Sequence, residues 1–312
     1  SRELKKRGVE TTLAVVLQFH TDAEKLWMER LTDEGFQVSF LSDSPQPRIA
    51  TSWKEVRRLC SSQKFSIIHG HYQVGNLLAC MLKIRGIIPH AIRTIHTPLE
   101  WGEGWIAWLA RQTLTRWIFP SVMDLQIGVS SAIVHQVERY PGAKIFKRPI
   151  HMIPNAVNEQ YLRIAKNNRL HLRPVNQGPK FVITSVGRIT HLKGYQYLIQ
   201  ALPTVLKVLP DTELWLIGDG TDLPRLKNIA SDLCVENHIH FWGQQENVGD
   251  WLQKSDLFVL PSLVEAMPTV ILEAMACGVP VIASKLPGLE EIITEGRTGW
   301  LIPPKSPSYI SD

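Results

Sequence analysis

A chain of 312 residues is longer than one ordinary domain, and two domains are expected. With 44% hydrophobic and 20% charged residues it can build two cores, while no apolar run reaches the roughly 18 residues that would span a membrane. The net charge of +5 is uneven: residues 1–173 hold 24 Lys and Arg against 14 Asp and Glu, and residues 174–312 hold 10 against 15. The basic first half is suited to an anionic partner such as a membrane surface, an acidic acceptor or phosphate, although a merely basic surface explains the count equally well.

"SRELKKRG" opens the chain like the last turns of a helix stopped by Gly8, and is too polar for a signal peptide. Strands are expected at "TTLAVVLQF", "FQVSFLS", "FSIIHGHY", "HAIRTIHT", "LQIGVSS" and "HMIPNAV". Helical patterns separate them at "SWKEVRRLCSS", "GNLLACMLKIRG" and "SSAIVHQVERY". Residues 159–178, polar and basic and ending in Pro174 and Gly178, read as a linker. The alternation then resumes from "KFVITSVG" to "GWLIPP", with a helix over "YQYLIQALPTVLKVL" expected to be disturbed at Pro203. The fold class is α/β: two tandem Rossmann-like, doubly wound parallel-sheet domains facing a cleft, which is the expected site. The domains are 1–158 and 179–312, joined by 159–178. The four cysteines form no CxxC pair and read as reduced thiols of a cytoplasmic protein.

Three stretches of the second half carry chemistry. In "SVGRITHLKG" a buried strand ends at Gly187, where the backbone can turn and approach a ligand, and Arg188 and Lys193 follow before a helix. Two cations and a helix N-terminus at a strand end suit a diphosphate, although an ordinary basic loop has the same composition. "LIGDG" places Gly218 in a similar turn without a dinucleotide fingerprint. "PSLVEAMPTVILEAMACG" sets Glu265 in a loop, Pro268 at the start of a helix, Glu273 on the helix face of Thr269, and Gly278 at its end. The helix offers free amides near Met267–Val270, and each carboxylate can accept hydroxyl hydrogen bonds. A salt bridge for Glu273 or a capping role for Glu265 is the structural alternative. An acid buried there needs a partner.

In order, "GRITHLKG", "LIGDG", "HFWG", "PSLVEAMPTVILEAMACGVPVIAS" and "PGLEEIITEGRTGWLIPP" resemble the C-terminal domain of retaining glycosyltransferase family 4, which has the GT-B fold. The resemblance covers essentially the whole chain, and its motifs are most specific in residues 180–304. It implies transfer of a sugar from a nucleotide-diphosphate sugar to a hydroxyl acceptor with retention. Arg188 and Lys193 would bind the diphosphate and offset charge on the leaving group, making a metal or other cofactor unnecessary. Glu265 would hold the transferred sugar with the backbone at Met267, Pro268 and Thr269. Glu273 would hold the ribose, and Gln244 at the end of "FWGQ" would lie near the base. Where family members often have Gly after the first Glu, this chain has Ala266.

In the first half, His96 of "TIHTP" matches a family histidine near the sugar. His71 of "HGHY", Trp101 and Asn155 of "IPNAV" are acceptor-side candidates. Relative to the family, the chain lacks the first strand with its Gly-rich turn and the closing helices, so it is expected to be a fragment. Trp101, Trp105, Trp108 and Trp117 recur at near-helical spacing with Arg111 and Arg116. They read either as a core face or as an acceptor groove or interfacial helix resting on the inner, anionic face of a membrane. No nucleic-acid partner is expected. Rival readings are a GT-B nucleotide-sugar epimerase or phosphorylase, or a non-catalytic nucleotide-sugar-binding protein.

Overall fold

A computed structural model describes residues 4, 6–16, 22–42, 49–99, 104–157 and 180–312. The expected linker and Trp101 lie outside these residues. The chain divides into two compact units, Ser1–Gly128 with Val134–Met152, and Val129–Ile133 with Ile153–Asp312.

In the first unit, Gly8 stops the opening helical turn with a φ of 75°, and the Val9 amide donates back to the Leu4 carbonyl at 3.0 Å. β1 (Thr12–Val15) pairs in parallel with β2 (Gln37–Phe40), with α1 (Asp22–Asp33) between them in sequence. After α2 (Ile49–Ser62), the strands β3 (Ile67–His71), β4 (His90–Ile95), β5 (Leu125–Gly128) and β6 (Ile150–Met152) form a parallel sheet in that order. α3 (Tyr72–Ile84) starts directly after β3 without a loop. A Cβ on Gly70 would lie 2.8 Å from the Gly75 carbonyl oxygen and 2.9 Å from the Asn76 Cα, so a glycine lets strand and helix touch. Leu78, Leu82, Phe119 and Met123 are fully buried between the helices and this sheet.

Between β4 and β5 the chain forms α4 (Trp105–Ala110), a π-helical segment Arg111–Ile118, and α5 (Phe119–Val122). α6 (Ser131–Glu138) and α7 (Pro141–Phe146) follow β5. No residue of α4 is buried, and Trp105, Trp108 and Trp117 are exposed. The core-face reading of this stretch is therefore overturned. The near-helical spacing is present, but the sheet lies beneath α5 instead, where Phe119 and Pro120 are buried.

The second unit holds six parallel strands: β7 (Phe181–Val186), β8 (Thr212–Ile217), β9 (Ile239–Gly243), β10 (Leu257–Leu260), β11 (Val281–Ser284) and β12 (Trp300–Ile302). Their spatial order is β12-β11-β10-β7-β8-β9. The chain thus winds outward from β7 in one direction and restarts at β10 in the other, leaving a switch point between β7 and β10. Most strand residues are buried, as expected for a sheet covered on both faces. α8 (Tyr195–Val208), α9 (Leu223–Asp232), α10 (Val248–Leu252), α11 (Thr269–Ala276), α12 (Pro287–Glu290) and α13 (Pro307–Ser311) complete the unit. α8 runs through Pro203 without interruption, so the disturbance expected there does not break the helix. Leu198, Ile199 and Leu202 anchor that helix in the core before the proline, and the partly buried Val205 and Leu206 pack against the same core after it.

Candidate active site

In the second unit, the loops after β7, β8, β9 and β10 are held together backbone to backbone. The Gly187 amide donates to the Ile217 carbonyl at 2.9 Å, and the Gly218 amide donates to the Gly243 carbonyl at 2.8 Å. Gly187 and Gly218 have φ values of 151° and 135°, and a Cβ on Gly218 would lie 2.0 Å from the Gly187 carbonyl oxygen. Gly194, at φ 66°, likewise leaves no space for a side chain, because its Cβ would fall 2.0 Å from the Pro261 carbonyl oxygen. The Leu263 amide donates to the Leu192 carbonyl at 2.8 Å beside it. The glycines therefore let the β7 and β10 loops meet at the switch point, where ligands of doubly wound sheets bind.

Lys193 and Glu265 extend from these two loops. The Lys193 Nζ donates to Glu265 Oε1 at 2.5 Å, and the Ser262 Oγ donates to the same oxygen at 2.8 Å. The two side chains are 23% and 10% exposed, so this is a largely desolvated pair. Arg188 is exposed, and its guanidinium makes no hydrogen bond or ion pair to any described residue. The site thus holds one neutralised cation and one open cation a few residues apart in a single loop.

Sequence reasoning missed Ser262 and Tyr195. Ser262 is a fully buried hydroxyl three residues before Glu265, and it fixes the carboxylate's direction. Tyr195 is 1% exposed, and its hydroxyl lies 3.0 Å from where a Gly187 Cβ would sit. Burial foremost, with the Glu265 charge added, pushes this phenol above its ordinary range and keeps it protonated. No spacing in the sequence signals Tyr195, whereas "PSLVE" does place Ser262 beside the acid.

α11 begins at Thr269, with Pro268 as its N-cap, and no side chain caps its first amides. A Cβ on Gly288 would fall 1.6 Å from the Ala266 carbonyl oxygen, so α12 presses directly on the loop carrying Glu265. From the other side, the Asn155 Nδ2 donates to the Met267 carbonyl at 2.7 Å. Asn155, expected on the acceptor side, thus braces the Met267 backbone within the second unit. Glu273 is half-buried one turn into α11, and its charge helps burial push the Cys277 thiol up to about 11. Gln244 is exposed just beyond β9. Glu291 caps the first turn of α6, accepting from the Ser131 amide at 2.9 Å and the Ser131 hydroxyl at 2.7 Å, which ties Val129–Ile133 to this unit.

The first unit gathers a second constellation at the C-terminal ends of β3 and β4. The Nδ1 of His71 and the Nε2 of His96 share a proton at 2.9 Å, and their rings stack at 5.2 Å. His69 stands 4.4 Å from His71, ring to ring, and its Nε2 bonds the Thr94 hydroxyl at 2.7 Å. Tyr72, at a left-handed φ of 56°, stacks on His96 at 4.9 Å. Burial, then repulsion from neighbouring imidazoles, holds His69 and His96 down to about 4, and burial lowers His71. At neutral pH the cluster is uncharged, and its rings are set to donate and accept single hydrogen bonds. Sequence reasoning had named His71 and His96. His69, Tyr72 and Thr94 were not foreseen, although the alternation of "HGH" puts His69 and His71 on one face. Among the described residues, no three His, Cys, Asp or Glu side chains are grouped to hold a metal ion.

A family model described as Glycosyltransferase Family 4 matches residues 1–161, and one described as Glycosyl transferases group 1 matches residues 169–312. The N-acetyl-alpha-D-glucosaminyl L-malate synthase of Bacillus anthracis is 35% identical over 120 residues, which is 38% of this chain and 31% of that protein. The UDP-Gal:alpha-D-GlcNAc-diphosphoundecaprenol alpha-1,3-galactosyltransferase of Escherichia coli is 27% identical over 260 residues, 78% of this chain and 64% of that one. The chain therefore spans less than two thirds of these relatives' lengths. Among solved structures, HepE of Anabaena, crystallised with UDP and glucose, superposes at a TM-score of 0.75 with 18% identity. The match covers 96% of this chain and 87% of HepE, a likeness of fold.

Proposed function

The chain belongs to glycosyltransferase family 4, and from that premise we propose that the protein moves a glycosyl group from a nucleotide-diphosphate sugar to a hydroxyl acceptor with retention of configuration. The observation that carries this reading is the meeting of Arg188, Lys193, Glu265 and the uncapped start of α11 at the switch point of the second sheet. Residues 179–312 act as the donor domain and 1–158 as the acceptor-side domain. When donor binds, its diphosphate takes Lys193 from Glu265, and Arg188 adds a second, forked contact. The released carboxylate, still held by Ser262, accepts hydroxyl hydrogen bonds from the sugar. Glu273 receives the ribose hydroxyls, and Gly187, Gly218 and Gln244 line the nucleotide's path. The bond from the sugar's C1 to the diphosphate oxygen breaks with its electron pair staying on that oxygen, and the acceptor oxygen bonds C1 as its proton passes to the departing diphosphate. The two cations offset charge growing on the departing diphosphate, so no metal ion is required for that step. His96, supported by His71, contributes a neutral hydrogen bond to the sugar.

The named donor of the Escherichia coli relative and the UDP of HepE support a nucleotide-sugar donor. The relatives' names differ in acceptor, L-malate in one and a diphosphoundecaprenol-linked sugar in the other, so a hydroxyl is the common denominator. The test is mass spectrometry of an acceptor panel incubated with a panel of nucleotide sugars, with NMR of the product's anomeric proton. Release of nucleoside diphosphate only when acceptor is present is expected; release without acceptor, or binding with no turnover on any acceptor, overturns the reading. Arg188→Ala and Lys193→Ala are each expected to lower kcat/KM by about a hundredfold or more. Unchanged kcat/KM would remove both residues from the site.

A further inference from the structure

In the first unit, a helix of wholly apolar sequence leaves its large side chains exposed. α4 reads "WIAWLA", and Trp105, Ile106, Trp108 and Leu109 are 75%, 65%, 56% and 48% exposed. The surface continues. Trp117 of the π-helical segment is 45% exposed, and α7 is pressed against that segment, since a Cβ on Gly142 would lie 3.0 Å from the Trp117 Cα. Three and four residues beyond Gly142, Ile145 and Phe146 are also exposed. Large apolar side chains on touching helices make a contiguous patch of the kind that marks an interaction surface.

The charges around the patch identify what it meets. Residues 104–153 contain six basic side chains and two acidic ones, Asp124 and Glu138. Asp124 is already engaged by Lys83. Exposed Lys144 and Lys147 bracket Ile145 and Phe146, and exposed Arg148 follows. A second copy docked on this patch would add six more cations and only two acids, one of them already paired, so it would leave the lysines without neutralising partners. An anionic lipid surface satisfies both components: tryptophans settle at the level of the headgroups, and lysines meet lipid phosphates. α4 has six residues, far too few to cross a membrane, so its contact is one of lying on the surface. We propose that the face formed by α4, the π-helical segment and α7 seats the protein on an anionic lipid bilayer. The inference does not depend on the glycosyl-transfer reading.

The test is co-sedimentation of the full chain with vesicles of phosphatidylcholine alone and of equal parts phosphatidylcholine and phosphatidylglycerol. Binding to the mixed vesicles is expected, weaker binding to the neutral ones, and loss as salt rises. Trp105→Ser with Trp108→Ser should lower partitioning to both vesicles by roughly tenfold or more. Lys144→Ala with Lys147→Ala should lower partitioning to the mixed vesicles by about twentyfold and leave the neutral ones unchanged. All four positions are exposed, so native melting temperatures are expected in both variants. Failure of the wild type to sediment with mixed vesicles overturns the proposal, as do wild-type partitioning of both variants or a dimer in light scattering that the tryptophan variant dissolves while lipid binding persists.

Discussion

Two glycines of the second unit show how backbone space fixes chemistry. Gly194 has a φ of 66°, and its missing Cβ would lie 2.0 Å from the Pro261 carbonyl oxygen, next to the Lys193–Glu265 pair. Gly278 has a φ of 78° with open space around it. Alanine at Gly278 meets only the left-handed backbone penalty, about 1 kcal/mol. Alanine at Gly194 adds a clash that must push the β7 and β10 loops apart, and is expected to cost about 3 kcal/mol or more. Urea unfolding of both variants checks the contrast, and equal losses would mean that the loops can part freely. The histidines of the first unit give a pH dependence of known sign. Their folded forms titrate near 4 (His69 and His96), against 6.5 for the free imidazole. The unfolded chain therefore takes up protons first on acidification, and stability present above 6.5 is lost as pH falls toward 4. His69→Gln with His96→Gln should flatten the fall in Tm across this window, and an unchanged slope would show that other groups govern it.

At the level of elements, the strands of the second unit were legible because they are short apolar runs bounded by Gly, Pro or Asp, and β7 to β12 all lie in the alternation expected from "KFVITSVG" to "GWLIPP". Glu265 and Glu273 could be placed on loop and helix from Pro268 and Gly278 alone, since those residues have strong positional preferences. The partner of Glu265 could not be read, because Lys193 is 72 residues away and meets it only through the order of β7 and β10 in the sheet. Arg93 was hidden for the same reason: a strand residue in sequence, it is fully buried and bonds Gln126 across β4 and β5. The tryptophan helix was ambiguous because periodicity reports a face without saying what covers it. α8 misled in the other direction. Pro203 removes the amide that would bond the Ile199 carbonyl, yet Leu198, Ile199 and Leu202 before it and Val205 and Leu206 after it pack on one core and hold the helix through it. Pro203→Ala should restore that bond and raise stability by about 1–3 kcal/mol, read as a higher denaturant midpoint. A lower midpoint would mean that the ring's own packing outweighs the missing bond.

Over the whole molecule, the two units have separate sheets and separate cores. Leu78, Leu82 and Phe119 belong to one, and Leu198, Val259 and Ile271 to the other. Each unit is large enough to unfold as a cooperative body, so calorimetry of the full chain should resolve two transitions. The features of the two units label them independently. Mild acidification protonates imidazoles whose folded forms resist it, and the cluster lies wholly in the first unit, so that transition should move down between pH 6.5 and about 5. Nucleoside diphosphate binds the loops of the second unit in the proposed function, so it should raise the other transition. At about a hundredfold excess over Kd the linkage amounts to roughly 2.7 kcal/mol. For a unit of this size that is a rise of roughly 5–10 °C. UDP and GDP tested side by side would also show which base the site prefers. A rise confined to the acid-sensitive transition would assign the nucleotide to the first unit and overturn the placement at Lys193 and Glu265. A single transition that moves with both treatments would mean that the two cores melt as one.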